Sequence, residues 1–116
     1  MEYKKLSSGF EIPVLGLGTW LFGWRFEPGI YAEKDRRTTA EEYEKIIQYA
    51  ISKWIVLIDT AELYAGWYAE EIIGKSIRNI PREKLFITSK IMVDKSEPER
   101  IPSAIEGSLK RLGIDY

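Results

Sequence analysis

The feature that most limits how this chain can fold is the alternation of short apolar runs with amphipathic helical segments. Continuous apolar runs at residues 14–19, 54–58 and 85–89 are typical of strands buried on both faces, as in parallel sheets. A segment with helical periodicity follows each run before the next one begins. This alternation predicts a parallel α/β fold with about three βα units.

A β-hairpin is predicted ahead of these units. Two strand-like pieces, at 3–6 and 10–12, flank a turn that ends at Gly9. The whole chain is therefore predicted to form one domain, with a hairpin over 1–12 and three βα units over 14–113. Three units are too few to close a parallel barrel, which needs eight.

The first two helices have clear sequence signals. Thr39, followed three residues later by Glu42, forms a capping box that marks a helix start. A second helix is predicted over 70–78. The apolar face of the first helix comprises Tyr43, Ile46, Ile47, Ala50 and Ile51.

The start of the third helix is less clear. Ser96 and Glu99 have the spacing of a second capping box. Pro102, however, either kinks this helix or delays its start to about Ile101. Gly113 is predicted to end the helix as its C-terminal cap.

Composition excludes several kinds of site. The 116 residues include no cysteine and no histidine, so disulfides, thiolate chemistry and the most common metal ligand are excluded. No metal site is predicted. A net charge of -1 gives no general attraction to nucleic acid or an anionic membrane. Because no stretch has the pattern of a signal peptide or the length of a membrane span, we expect a cytoplasmic protein.

Three polar residues lie at or just beyond predicted strand ends, where active sites of parallel α/β folds gather. Asp59 follows the second strand, Tyr64 lies in the next loop, and Lys90 follows the third strand. Neighbouring parallel strands are about 4.8 Å apart, so Asp59 and Lys90 are expected to form an ion pair. A phenol beside an ammonium has a lowered pKa and can transfer a proton near neutral pH.

Each of these residues also has an ordinary structural interpretation. Asp59 is a common turn-capping residue, Tyr64 can pack on the loop surface, and Lys90 can be a solvated charge. Singly, the structural interpretation is favoured for each. Their joint position at strand ends favours an active site.

Six motifs, in order along nearly the whole chain, resemble those of the aldo-keto reductase family. The resemblance implies that the chain is the N-terminal part of a (β/α)8 barrel and that the family's NAD(P)H-dependent reduction of aldehydes or ketones is its activity. The motifs are Leu15-Gly16-Leu17-Gly18-Thr19-Trp20, Ile58-Asp59-Thr60-Ala61-Glu62-Leu63-Tyr64, Glu70-Glu71-Ile72-Ile73-Gly74-Lys75, Pro81-Arg82-Glu83-Lys84-Leu85, Phe86-Ile87-Thr88-Ser89-Lys90 and Leu109-Lys110-Arg111-Leu112-Gly113.

The resemblance also implies roles for individual residues. Tyr64 matches the family's proton donor, and Lys90 and Asp59 match the pair that tunes it. The substrate pocket is expected to be lined by Trp20, Phe22 and Trp24, the last two in a stretch, 21–38, without clean periodicity. The residues expected to contact the cofactor are Gly18, Thr19, Trp20 and Asp59.

Two features of the family pattern are missing from this sequence, one catalytic and one for binding the cofactor. The family's catalytic histidine on the fourth strand is absent, and so are the last strands, which bind most of the cofactor. We therefore expect this chain alone to hold NADP(H) poorly and to be inactive in isolation.

Three tryptophans suggest an alternative function. Trp54 and Trp67 stand where the family shows glycine, and a left-handed backbone is unfavourable for a residue with a Cβ. Together with Trp24, they are candidates for designed substitutions in an engineered, non-catalytic half-barrel scaffold. Unpaired sheet edges recruit other chains, so the predicted partner is a second copy of the chain, as a homodimer or higher oligomer.

Overall fold

The N-terminal hairpin contacts the sheet through two aromatic side chains. In the computed structural model, which describes residues 2–22, 38–92 and 96–116, strand β1 (Tyr3–Lys5) pairs antiparallel with β2 (Glu11–Pro13). Gly9 makes the turn possible because its φ of 88° lies in the left-handed region. The rings of Tyr3 and Phe10 pack on Phe86 in the sheet. The predicted hairpin is confirmed.

The central sheet has three parallel strands in the order β3 (Gly16–Gly18), β4 (Leu57–Asp59) and β5 (Phe86–Thr88). Its register aligns residues in rows across the strands. The row of Leu17, Ile58 and Ile87 faces the core. The next row, Gly18, Asp59 and Thr88, ends the sheet at the carboxyl edge.

The strands are shorter than the apolar runs that predicted them. Trp54 in particular lies outside β4, so the prediction that the strand begins there is wrong. Its backbone N–H donates to the carbonyl of Ile51, and its φ of 66° is left-handed, so it ends the preceding helix. The side chain is 72% exposed, which also rules out a role for it in the core.

Within residues 2–22, 38–92 and 96–116, three α-helices accompany the sheet: α1 (Ala40–Ser52), α2 (Tyr68–Ile77) and α3 (Ile101–Leu112). The Thr39 capping box is confirmed, because both of its reciprocal hydrogen bonds are present. A 3₁₀ turn, Arg82–Lys84, precedes β5. Within the described ranges, no helix is both long enough and apolar enough to cross a membrane.

The capping box predicted at Ser96 and Glu99 is wrong. Helix α3 begins at Ile101, and Arg100 occupies the N-cap without a side-chain hydrogen bond. Pro102 falls in the first turn, where its missing N–H has no intrahelical acceptor to lose. Of the two outcomes predicted for Pro102, a kink or a delayed start, the structure shows the delayed start at Ile101. At the other end, Gly113 caps the helix with a φ of 68°, as predicted.

The core lies between the sheet and the helices. Helix α1 packs on α2, and α2 packs on α3. One cluster of buried apolar side chains fills this space: Phe22, Ile47, Ile58, Ala69, Ile72, Ile73, Ile77, Leu85 and Leu112.

Candidate active site

Asp59 and Lys90 form an ion pair at the carboxyl edge of the sheet. Asp59 is the last residue of β4, and Lys90 lies two residues beyond β5. The Lys90 Nζ atom is 2.9 and 3.0 Å from the two Asp59 carboxylate oxygens, and 2.6 Å from the carbonyl oxygen of Thr60. The predicted ion pair is confirmed. Both side chains are about half exposed, so the pair is open to solvent on one side.

Tyr64 lies against this pair. The Lys90 Nζ atom is 5.0 Å from the centre of the Tyr64 ring. Partial burial lowers the pKa of Lys90, but hydrogen bonds with Asp59 and Tyr64, and their charges, outweigh it, so the net pKa is raised above the ordinary value. Lys90 therefore remains cationic throughout the neutral range and keeps a fixed positive charge beside the phenol.

Trp20 is the fourth residue at this edge, and Asp59, Tyr64, Lys90 and Trp20 are together called the corner below. Its ring meets the Tyr64 ring edge to face, with centroids 4.9 Å apart and an interplanar angle of 89°. About half of Trp20 is exposed. The structure thus brings together Asp59, Tyr64, Lys90 and Trp20, four residues that the sequence had placed in one site.

Gly18 and Thr19, two further predicted site residues at the end of β3, differ in burial: Gly18 is exposed and Thr19 is buried. Thr19 is fully buried, and both its backbone N–H and its hydroxyl donate to the Asp59 carbonyl, at 3.0 and 2.9 Å. Its side chain therefore fixes the backbone of Asp59. Gly18 is exposed, and a Cβ placed there would meet no atom of the described residues within 4 Å. Gly18 thus leaves open space beside the ion pair.

Phe22, another predicted pocket residue, is not at this corner. Phe22 is only 6% exposed and stacks on Tyr43, with ring centroids 4.3 Å apart, so its ring belongs to the core. The hydroxyl of Tyr43 donates to the Leu21 carbonyl at 2.8 Å and holds this segment on α1. Trp24 lies outside the described residues, and its pocket role stays a prediction.

A buried set of charged groups behind the corner was missed from the sequence. Arg111 pairs with Glu70 at 2.7 Å and with Glu62 at 3.5 Å, and both carboxylates are almost fully buried. Glu70 also accepts a 2.6 Å hydrogen bond from the Ser89 hydroxyl. A signal was available, because Glu70 occupies the same face of its helix as Ile73 and Ile77, and a charge on an apolar face needs a partner.

Comparisons with known proteins identify the family of this chain. The model of the aldo/keto reductase family matches residues 14–116. Aldo-keto reductase YhdN of Bacillus subtilis is 34% identical over an alignment of 126 residues. The alignment covers 100% of this chain and 36% of that protein. Methylglyoxal reductase YeaE of Escherichia coli is 31% identical over 118 residues, covering 100% of this chain and 37% of that protein.

Solved structures give the same result. A thermostable aldo-keto reductase in complex with the inhibitor epalrestat is 40% identical with a TM-score of 0.84, covering 100% of this chain and 40% of that one. An aldo-keto reductase from Klebsiella pneumoniae in complex with NADPH is 29% identical with a TM-score of 0.77, covering 100% and 37%. The chain therefore spans well under half the length of these relatives. Its fold is part of a (β/α)8 barrel, as predicted.

Proposed function

We propose a function from the premise that this chain belongs to the aldo/keto reductase family: it is the segment of an NADP(H)-dependent carbonyl reductase that supplies the proton. The observation that carries the proposal is the Asp59–Lys90 ion pair under the Tyr64 ring at the carboxyl edge of the sheet. Active sites of parallel barrels lie at this edge.

The chain's own residues divide the proton transfer between them. Tyr64 donates its phenolic proton to the carbonyl oxygen of the substrate. The cationic Lys90, whose Nζ atom lies 5.0 Å from the centre of the Tyr64 ring, then faces the negative charge that remains on Tyr64 and attracts it. Asp59 holds Lys90 in place through both carboxylate oxygens. Trp20 covers the Tyr64 ring and reduces the access of water to it.

The residues around this corner fit the reacting end of a nicotinamide cofactor. Gly18 leaves open space beside the ion pair, and Trp20 offers an exposed aromatic face next to it. When bound, such a cofactor supplies the hydride. The Klebsiella relative in complex with NADPH supports this choice of cofactor. We propose that residues outside this chain provide most of the binding energy, so that the chain alone binds NADP(H) weakly.

The test is a chimera in which this chain replaces the matching segment of the thermostable relative. We expect NADPH oxidation with a generic aldehyde, and a loss of at least about 100-fold in kcat for Tyr64→Phe, the usual size of a general-acid contribution. Tyr49→Phe is the matched control, because Tyr49 lies exposed on α1. A folded chimera without turnover, or one that Tyr64→Phe leaves unchanged, would refute the proposal.

A second candidate is the non-catalytic, self-associating half-barrel scaffold. The observation that favours it is Trp54, a large aromatic side chain that is 72% exposed on a left-handed backbone. Among the described residues, β3 and β5 each pair with one neighbour only, which leaves an open edge on either side of the sheet. A two-fold dimer is the most common way to cover such surfaces.

Sedimentation velocity separates the two candidates. The scaffold requires a dimer or larger species of the 116-residue chain, and a dimer that weakens on Trp54→Gly. A stable monomer contradicts it. Turnover by the chimera would favour the reductase, whatever the oligomeric state of the isolated chain.

A further inference from the structure

A buried ion cluster lies directly behind the proton-donating corner. It comprises Glu62, Glu70 and Arg111, with the hydroxyls of Ser89 and Ser108 hydrogen-bonded to its charged groups. The Glu62 and Glu70 side chains are 2% and 0% exposed, and that of Arg111 is 19% exposed. The cluster joins three elements that are distant in the sequence: the loop after β4, helix α2 and helix α3.

Glu62 connects this cluster to both halves of the corner. It lies two residues before Tyr64 in the same loop. Its backbone N–H donates to the carbonyl of Lys90 at 2.9 Å, and its carboxylate accepts from the backbone N–H of Met92 at 3.4 Å. Glu62 therefore bridges the loop that carries Tyr64 and the segment that carries Lys90.

The loop after Tyr64 needs such an anchor because its backbone is strained. Ala65, Gly66 and Trp67 have φ values of 51°, 58° and 76°, three consecutive left-handed residues of which two have a Cβ. The turn closes back onto Glu62, whose carbonyl accepts from the Trp67 N–H at 3.1 Å. The Trp67 ring also lies 6.0 Å from the Arg111 guanidinium.

We propose that Glu62, held by Arg111, is a positioning residue that sets the placement of the Tyr64 phenol relative to the Lys90 ammonium. The inference rests on the proposed function, since it names what orients the proton donor. Buried ion pairs contribute little net stability compared with apolar side chains of similar size. A pair that touches both the Tyr64 loop and the Lys90 segment is better explained by the geometry that it fixes.

The variants are Glu62→Gln, which keeps the size and one acceptor oxygen but removes the charge, and Arg111→Lys, which keeps the charge but cannot contact both carboxylates in the same way. Glu71→Gln is the control, because it makes the same chemical change on the exposed face of α2. We expect kcat of the chimera to fall about tenfold or more in both variants, with KM nearly unchanged. Glu71→Gln should leave kcat unchanged.

A second readout does not depend on turnover. In the 116-residue chain at pH 7, the 15N NMR signal of the Lys90 ammonium reports how strongly its hydrogen bonds slow proton exchange. We expect severalfold faster exchange in Glu62→Gln and Arg111→Lys, measured at a temperature where both variants are folded. A chimera without turnover would defeat the proposed function and leave this readout intact.

Two outcomes would overturn the inference. One is an unchanged Lys90 signal and unchanged kcat in folded variants, which would mean that the corner keeps its geometry without the buried ion cluster. The other is loss of folding in both variants, which would make the role of the cluster one of stability.

Discussion

A single added methyl group at Gly74 should separate helices α2 and α3. A Cβ built at Gly74 would lie 2.5 Å from the Arg111 carbonyl oxygen and 2.9 Å from the carbonyl carbon and oxygen of Leu112. These are backbone atoms, so no side-chain rotation can relieve the clash. Ordinary contact begins near 3.4 Å, so one helix must move by almost 1 Å.

The magnitude follows from two opposing effects. Overpacking costs about 1–3 kcal/mol, and a clash with backbone that no side chain can relieve belongs in the upper part of that range, about 2–3 kcal/mol. Replacing glycine by alanine inside a helix recovers about 1 kcal/mol of helix propensity. Gly74→Ala should therefore destabilise the chain by about 1–2 kcal/mol, which corresponds to a fall in Tm of about 5–10 °C for a domain of this size.

Gly107→Ala provides the matched control. Gly107 also lies inside a helix, α3, but the atoms nearest to its Cβ would all belong to the Arg111 guanidinium, the closest at 3.0 Å. Because a side-chain end can give by the few tenths of an ångström required and still keep its ion pairs, Gly107→Ala should leave stability unchanged or raise it by up to about 1 kcal/mol. Urea unfolding followed by circular dichroism measures both variants. Equal stabilities for Gly74→Ala and Gly107→Ala would refute the close approach of the two helices.

Three further substitutions test individual contacts. Lys90→Met should lower the free energy of unfolding by no more than about 1 kcal/mol, because the ion pair is half exposed. Since the pKa of Lys90 is raised in the folded state, this difference should be complete below the unfolded pKa and vanish as the pH rises through the folded pKa; a difference that persists at higher pH would contradict the pairing. Thr60→Val should be neutral or stabilise by about 1 kcal/mol in thermal unfolding, because the buried Thr60 hydroxyl has no hydrogen-bond partner among the described residues; a clear loss would reveal a partner. Ala65→Gly should stabilise by about 0.5 kcal/mol in urea unfolding, since relief of a left-handed φ exceeds the added chain entropy, and destabilisation would count against the strained turn.

Much of the fold follows from local patterns. Continuous apolar runs predict the strands of the sheet, and helical periodicity predicts the helices. Thr39 and Gly113 mark helix ends correctly because a cap depends on only a few neighbouring residues. The predicted cap at Ser96 failed for a physical reason. A proline can begin a helix but cannot continue one without cost, and Pro102 therefore outweighed the capping pattern upstream.

The candidate site was predicted only where a general rule fixes positions. Strand ends of a parallel sheet meet at one edge, so the sequence alone predicts the ion pair that Asp59 and Lys90 form. The sequence does not determine where the Phe22 ring lies, because an aromatic residue after a strand can face either the site or the core. Its stacking on Tyr43 depends on how α1 packs, which no local pattern specifies.

The buried ion cluster shows why the remainder of the site depends on tertiary structure. Glu62 and Arg111 are 49 positions apart, and their ion pair joins elements that meet only when the chain is folded. A carboxylate is removed from water only where a cation and hydrogen-bond donors are already in place. Helix α3 supplies the cation and the segment after β5 supplies a backbone N–H, so the loop that carries Tyr64 acquires its anchor only when both have packed. The proton-donating corner is thus the product of long-range packing, although each of its residues sits at a position that local rules can identify.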